Sequence, residues 1–210
     1  MTRYGFTRYK TDLVILDAVK DEFYLLPGAG QFLEDRAELL KRYPQLCEYL
    51  DSEHYIGSTA ENKNLSFLEE RWLMPEPVNV STLPSFFQRM MLLAKILYYS
   101  KSIEKKGMGW IYNKNKRDAK PAAMSANQEV IIQETVSTVS SLFCINMFKS
   151  DCLTYSFTLK NALYSRGVDA RLVIGVRTQP FYSHAWVEIE GNIINDDPDL
   201  RDKLSVIAEI

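Results

Sequence analysis

The sequence predicts an α+β protein in two units, the second built on an antiparallel sheet. Three observations lead there. Short apolar runs of strand length crowd the first 30 residues and give way to helical patterns. A proline-punctuated stretch then interrupts the chain near residue 80. Beyond it the order is helices first and hairpin strands afterwards.

In the first unit, Tyr4–Tyr9 is an edge strand and Leu13-Val14-Ile15-Leu16 a compact apolar run. Lys20-Asp21 supplies a turn into Phe23-Tyr24-Leu25-Leu26, so the two runs make an antiparallel hairpin. A helix is expected from about Gln31 to Tyr43, because Phe32, Leu33, Arg36, Ala37 and Leu40 fall on one stripe. Pro44 stops it and opens a second short helix through Leu46, Cys47 and Leu50. Leu65–Leu73 reads as a third. Met74-Pro75-Glu76-Pro77 and Ser81-Thr82-Leu83-Pro84 mark the boundary, giving units 1–80 and 81–210.

In the second unit, Ser85–Lys101 is a strongly apolar helix. Seven basic residues between Lys101 and Lys120, with Gly107 and Gly109 among them, are read as a solvated loop. The alternative, a phosphate or partner patch, lacks an accompanying phosphate loop. Ser125 and Gln128 form a capping box for a helix to about Phe148, and Ser150 caps another that closes at Gly167. Ala170–Val176 and Ala185–Glu190 are strands, and a Gly191-Asn192 turn leads into Ile193-Ile194.

Composition is that of an ordinary globular chain. Of 210 residues 46% are hydrophobic and 25% charged, and 25 basic against 27 acidic residues leave a net charge of -2. That balance argues against a dedicated nucleic-acid binder. Phe86–Tyr99 is too short to span a membrane and is interrupted by Gln88, Arg89 and Lys95. Cys47, Cys144 and Cys152 are too few for a disulfide framework, and with only His54 and His184 no structural zinc site can be assembled. With no signal segment at the N-terminus, a cytoplasmic, reducing setting is expected.

Cys152 is the cysteine placed for chemistry. It sits at the second position of its helix, where unpaired N–H groups and the positive dipole end favour a thiolate. Cys144 lies mid-helix among Leu142, Phe143 and Ile145, and Cys47 late in a short helix beside Glu48. His184 begins a strand, so its ring can project at the strand end. Helix-borne Cys followed by strand-borne His is the chain order of papain-like enzymes. A third group must orient the ring. Asp196, Asp197 and Asp199 are candidates, with Asn195 behind them. A strict two-residue turn at Gly191-Asn192 turns Asp196 away from His184, whereas a bulge or a three-residue loop brings it back. Spacing leaves that choice open.

Taken together, Asp151-Cys152-Leu153-Thr154-Tyr155-Ser156, Arg166-Gly167, Ala170-Arg171-Leu172-Val173-Ile174-Gly175-Val176, His184-Ala185-Trp186-Val187-Glu188 and Asn195-Asp196 resemble the lasso-peptide B proteins of the microcin J type. These are leader peptidases of the transglutaminase-like cysteine-protease superfamily. The resemblance implies Cys152 as nucleophile, His184 as base and Asp196 as orienting acid, in a papain/transglutaminase-like domain. It also implies a winged-helix-like precursor-recognition unit at residues 1–80. There a leader peptide would add a strand beside Phe23, Tyr24, Leu25 and Leu26, with Leu65–Leu73 as the other wall. The implied substrate is a lasso-peptide precursor. The implied partner is an asparagine-synthetase-like lactam synthetase, which would use the ATP and Mg, since this chain shows no phosphate-binding loop and needs no cofactor of its own. Two rivals remain at this level: an acyl-transferring transglutaminase, and a non-catalytic adaptor that presents the precursor to the synthetase.

Overall fold

A computed structural model describes residues 4–50, 85–115, 128–143 and 151–210. Strands β1 (Tyr4–Tyr9), β2 (Asp12–Asp17) and β3 (Glu22–Leu26) form an antiparallel sheet in the order β1-β2-β3. The β2–β3 hairpin turns where the sequence predicts. Asp17 Oδ1 accepts from the N–H groups of Val19 and Lys20, and Asp21 takes the left-handed conformation at φ 61.

The helix expected over Gln31–Tyr43 is divided. A 3-10 turn at Ala29–Phe32 precedes α1 (Arg36–Arg42). The break is at Asp35, whose non-helical backbone and side chain, accepting from Glu38 N, make it the N-cap. Pro44 opens the next turn as expected, and α2 (Cys47–Leu50) starts at Cys47, which is therefore first rather than late in its helix. The third helix at 65–73, the boundary near residue 80, His54, Ser125, Ser150 and Cys144 all lie outside the described residues.

Helix α3 (Phe86–Asn115) begins with a capping box. Ser85 Oγ accepts from Gln88 N while Gln88 Oε1 accepts from Ser85 N. As far as Asn115, the loop expected after Lys101 is helix instead. Ser102, Ile103, Met108, Ile111 and Tyr112 give the segment a buried face, and the basic residues Lys101, Lys105 and Lys106 occupy its exposed one. The helix is interrupted only at Gly107 (φ 57, ψ -158), where the hairpin turn intrudes. Asp21 Oδ1 accepts from Met108 N at 3.1 Å and so caps the resumed helix from another part of the chain.

Helices α4 (Gln128–Phe143) and α5 (Cys152–Ser165) follow. Helix α5 closes in a Schellman arrangement with Gly167 at φ 85, where Gly167 N donates to Tyr164 O and Val168 N to Leu163 O. The second sheet has the order β6-β5-β4-β7, antiparallel throughout: β4 (Ala170–Thr178), β5 (Phe181–Ile189), β6 (Asn192–Ile193) and β7 (Ser205–Glu209). A short helix, α6 (Leu200–Lys203), precedes β7. Helix α5 packs across β4 and β5.

The two sheets share a core. Val14, Leu16 and Ala18 from β2 and its turn pack with Phe157, Leu172 and Ile207. Polar ties cross the same junction: Thr178 Oγ1 donates to Asp12 Oδ2 at 2.7 Å, and Ser205 Oγ to Arg8 O at 2.7 Å. Among the described residues no helix is long and apolar enough to cross a membrane.

An alanine at Gly107 would combine a backbone region reserved for glycine with a Cβ 2.6 Å from Asp21 Cγ. Gly107→Ala is expected to lower stability by about 2–3 kcal/mol, measured as the urea midpoint multiplied by the slope.

Candidate active site

Helix α5 begins at the cysteine because Asp151, immediately before it, is extended and its carboxylate accepts from Thr154 N at 2.6 Å. The cap is thus Asp151 rather than Ser150, and Cys152 is the first helical residue rather than the second. A carboxylate reaches the third N–H of the helix and leaves the Cys152 and Leu153 N–H groups without a partner inside it. Cys152 itself is half-buried. One turn on, Ser156 Oγ donates to Ala185 O at 2.9 Å, which pins the start of α5 beside the strand residue next to His184.

His184 lies in the middle of β5 rather than at its start, because Phe181 and Tyr182 already pair with Thr178 and Arg177. Alternation puts Tyr182, His184, Trp186 and Glu188 on one face. Their rings stack in sequence, Tyr182 to His184 at 5.9 Å and His184 to Trp186 at 6.2 Å between centroids. Trp186 is fully buried, and its Nε1 donates to Glu188 Oε1 at 2.7 Å. Arg201 holds that buried carboxylate with two bonds of 2.7 Å and reaches Glu209 as well. Opposite His184 is Gly175, at a register shift between β4 and β7. A Cβ there would stand 2.6 Å from the Trp186 ring, so the absence of a side chain makes room for the aromatic row.

The aspartate is delivered by neither of the two turns the sequence allowed. The turn is Glu190-Gly191, both at positive φ (52 and 82), and the register pairs Glu188 with Ile193. Continued regularly, that ladder would place Asp196 beside Ala185 and turn it away from His184. The ladder is instead cut short: Ile194 N still donates to Val187 O, but Val187 N donates to the Asn195 side-chain Oδ1 at 2.7 Å. The chain bends there, and Asp196 Oδ2 comes to 2.8 Å from His184 Nε2. Asp196 Oδ1 accepts from Asp197 N. The other two candidates are engaged elsewhere. Asp197 and Asp199 both pair with Lys203, at 2.8 and 3.2 Å. The bond network with Asp199, then Lys203, pulls the Asp197 carboxyl down to about 2.

The His184 ring is 4% exposed. Burial alone would push the imidazolium down. The Asp196 carboxylate, hydrogen-bonded to the ring, and the influence of the Cys152 side chain outweigh it and lift His184 from 6.5 to about 9. With Nε2 given to Asp196, Nδ1 faces the Tyr182 hydroxyl, 3.4 Å away. Among the described residues no cluster of His, Cys, Asp and Glu could hold a metal ion.

The family model for the transglutaminase-like superfamily matches residues 96–209, which contain all three of these side chains. The chain belongs to the transglutaminase-like superfamily. Across its whole length this superfamily member is also 55% identical to the Microcin J25-processing protein McjB of Escherichia coli, with 210 residues aligned and all of both chains covered. No solved structure matches it.

Of the proposed leader contacts, Leu25 is 41% exposed, and Phe23 is half-buried with its ring 5.4 Å from Phe181. Tyr24 and Leu26 turn the other way, against the core of the first sheet. Among the described residues no strand pairs with the outer edge of β3. Sequence reasoning missed Tyr182, Gly175 and the Glu188–Arg201 pair in this transglutaminase-like domain. The two-residue period counted outward from His184 was the signal that could have found Tyr182, Trp186 and Glu188.

Two outcomes follow from this geometry. Gly175→Ala is expected to cost about 1–3 kcal/mol by overpacking, and to displace the Trp186 and His184 rings together, seen as a shift of both in NMR spectra. The second concerns pH. Because His184 is raised above its ordinary value when folded, the stability its charge contributes is complete below about pH 6.5 and is lost as pH rises through about 9. The urea-midpoint gap between the native chain and Asp196→Asn should therefore be widest at pH 6 and shrink by pH 10.

Proposed function

We propose that this transglutaminase-like chain is a cysteine peptidase that removes the leader from a lasso-peptide precursor, freeing the core for ring closure by a partner synthetase. The observation that carries the reading is a His184 ring held at 2.8 Å by Asp196, on a strand tied at Ala185 O to Ser156, one turn into the helix that begins at Cys152. Full-length similarity to the Microcin J25-processing protein supports the choice of substrate class.

In this mechanism the Cys152 thiolate attacks the carbonyl at the leader–core junction while the Cys152 N–H donates to the developing oxyanion. Protonated His184 passes its proton from Nδ1 to the departing amine. Neutral His184 then takes a proton from water, which releases the acyl group, and Asp196 holds the ring in the tautomer that serves both steps. Water as acceptor makes the protein a peptidase rather than an acyl-transferring enzyme. ATP and Mg are assigned to the synthetase, and the whole pathway to the cytoplasm.

Residues 1–80 are read as a winged-helix-like recognition unit and 81–210 as the catalytic unit. An extended leader would add to β3, with main-chain bonds along its outer edge and Phe23 and Leu25 offering apolar contact. Phe23 touches Phe181, three residues before His184 on β5, so a leader seated there would run toward the site.

The test uses a lasso-peptide precursor, the synthetase and ATP, with mass spectrometry of the products. Cys152→Ala should abolish cleavage while precursor binding persists; a variant that still cleaves would make the protein an adaptor. Leu25→Arg should weaken leader binding by about tenfold in a fluorescence titration and leave the alkylation rate of Cys152 unchanged.

A further inference from the structure

Past Ile194 the outer edge of β5 is completed by side chains rather than by a strand. Ile194 N donates to Val187 O, which makes these two residues a hydrogen-bonded pair of the ladder. In an antiparallel ladder the next such pair lies two residues on, Ala185 with residue 196. Asp196 has left that place to reach His184. Two side chains stand in for the missing strand. Asn195 Oδ1 accepts from Val187 N at 2.7 Å, and Ser156 Oγ, arriving from α5, donates to Ala185 O at 2.9 Å.

These four groups form one chain with one allowed polarity. Ala185 O can only accept, so the Ser156 hydroxyl spends its hydrogen there and its oxygen accepts in turn. That oxygen is 3.5 Å from the Asn195 side chain and selects the Nδ2 end of the amide. The opposite end, Oδ1, is thereby turned to the Val187 N–H, which can only donate. Asn195 is 2% exposed and Ser156 0%, so the circuit is closed off from bulk water.

We propose that Ser156 is a positioning residue for the His184–Asp196 pair. By holding Ala185 O and orienting the Asn195 amide, it keeps the β5–β6 ladder from running on to residue 196 and leaves Asp196 to the imidazole. The inference deepens the peptidase reading and rests on it for the claim that catalysis uses this pair. Without the hydroxyl, Ala185 O and Asn195 Nδ2 both lose a partner in a buried place. The backbone N–H of residue 196 relieves that cost at Ala185 O by joining the ladder. Ladder parity then turns the Asp196 side chain away from His184.

The test titrates the full chain and reads the imidazole signals by NMR. The chain has two histidines, and His54→Gln assigns them. In Ser156→Ala the His184 midpoint should fall by about one to two pH units from the native value, as the neighbouring carboxylate withdraws. A merely structural serine would lower the melting temperature and leave the midpoint in place. Ser140→Ala serves as the control, because it removes another fully buried hydroxyl, the one paired with Tyr155, and should not move His184. Equal midpoints in Ser156→Ala and the native chain would overturn the inference. So would an equal fall in Ser140→Ala, since the effect would then belong to any buried hydroxyl. A second measurement uses the native chain alone, should Ser156→Ala fold poorly. The coupling across a hydrogen bond from the Asp196 nitrogen to the Ala185 carbonyl carbon should be absent, and its presence would show an uninterrupted ladder and refute the proposal. Precursor cleavage with the synthetase and ATP should fall by about tenfold or more in Ser156→Ala. A full cleavage rate beside a lowered midpoint would overturn the catalytic part of the claim. The titration needs neither precursor nor synthetase, so a native chain that fails to cleave bears on the peptidase reading and leaves the His184 result standing.

Discussion

The geometry of the site depends on the place where the β5–β6 ladder stops. A hairpin strand with the Glu190-Gly191 turn has a fixed parity, and that parity points residue 196 away from residue 184. Asn195 breaks it by giving the Val187 N–H a side-chain acceptor in place of a backbone one. The Val187 N–H is thereby satisfied, so the strand can end there without the cost of leaving that donor unpaired. The bend that follows carries Asp196 to His184, and the same Asn195 reaches Ser156 on α5, itself bonded to Ala185 O. One amide thus touches the strand that bears the histidine, the helix that bears the cysteine, and the loop that bears the aspartate.

Behind this, the aromatic row on β5 sets the ring plane. His184 is sandwiched between Tyr182 and Trp186, and Trp186 is held by a buried carboxylate that is itself paired with Arg201. A buried Glu188 is tolerable only because the Arg201 fork and the indole N–H satisfy it. The imidazole therefore has little rotational freedom before any substrate arrives, which keeps the reorganisation required during reaction small.

Much of this was legible in the sequence, and the failures have physical causes. The apolar runs of β2, β4 and β5 and the Gly167 terminus follow from local pattern. The helical continuation of α3 through Gly107 was not legible, because its cap is Asp21, 87 positions away, and no local pattern contains a long-range cap. Asp35 and Asp151 were passed over as caps in favour of an unbroken stripe and a neighbouring serine. Asp196 was reached by resemblance alone. The Asn195 side chain that decides its direction acts through a single hydrogen bond that residue spacing does not encode.

The continuous core between the two sheets bears on how such proteins diversify. Gly5 lies so close to β7 that a Cβ would sit 2.5 Å from Ile207 O, and β2 contributes Val14 and Leu16 to the apolar mass beneath the second sheet. The N-terminal sheet is therefore not a cassette that recombination can lift out and replace with a foreign one. Its inner face and β7 have to vary as a matched pair. The cheaper substitutions lie on β3, where Leu25 is largely exposed among the described residues. Variation among such chains can proceed there one residue at a time, by point replacement rather than by shuffling of modules.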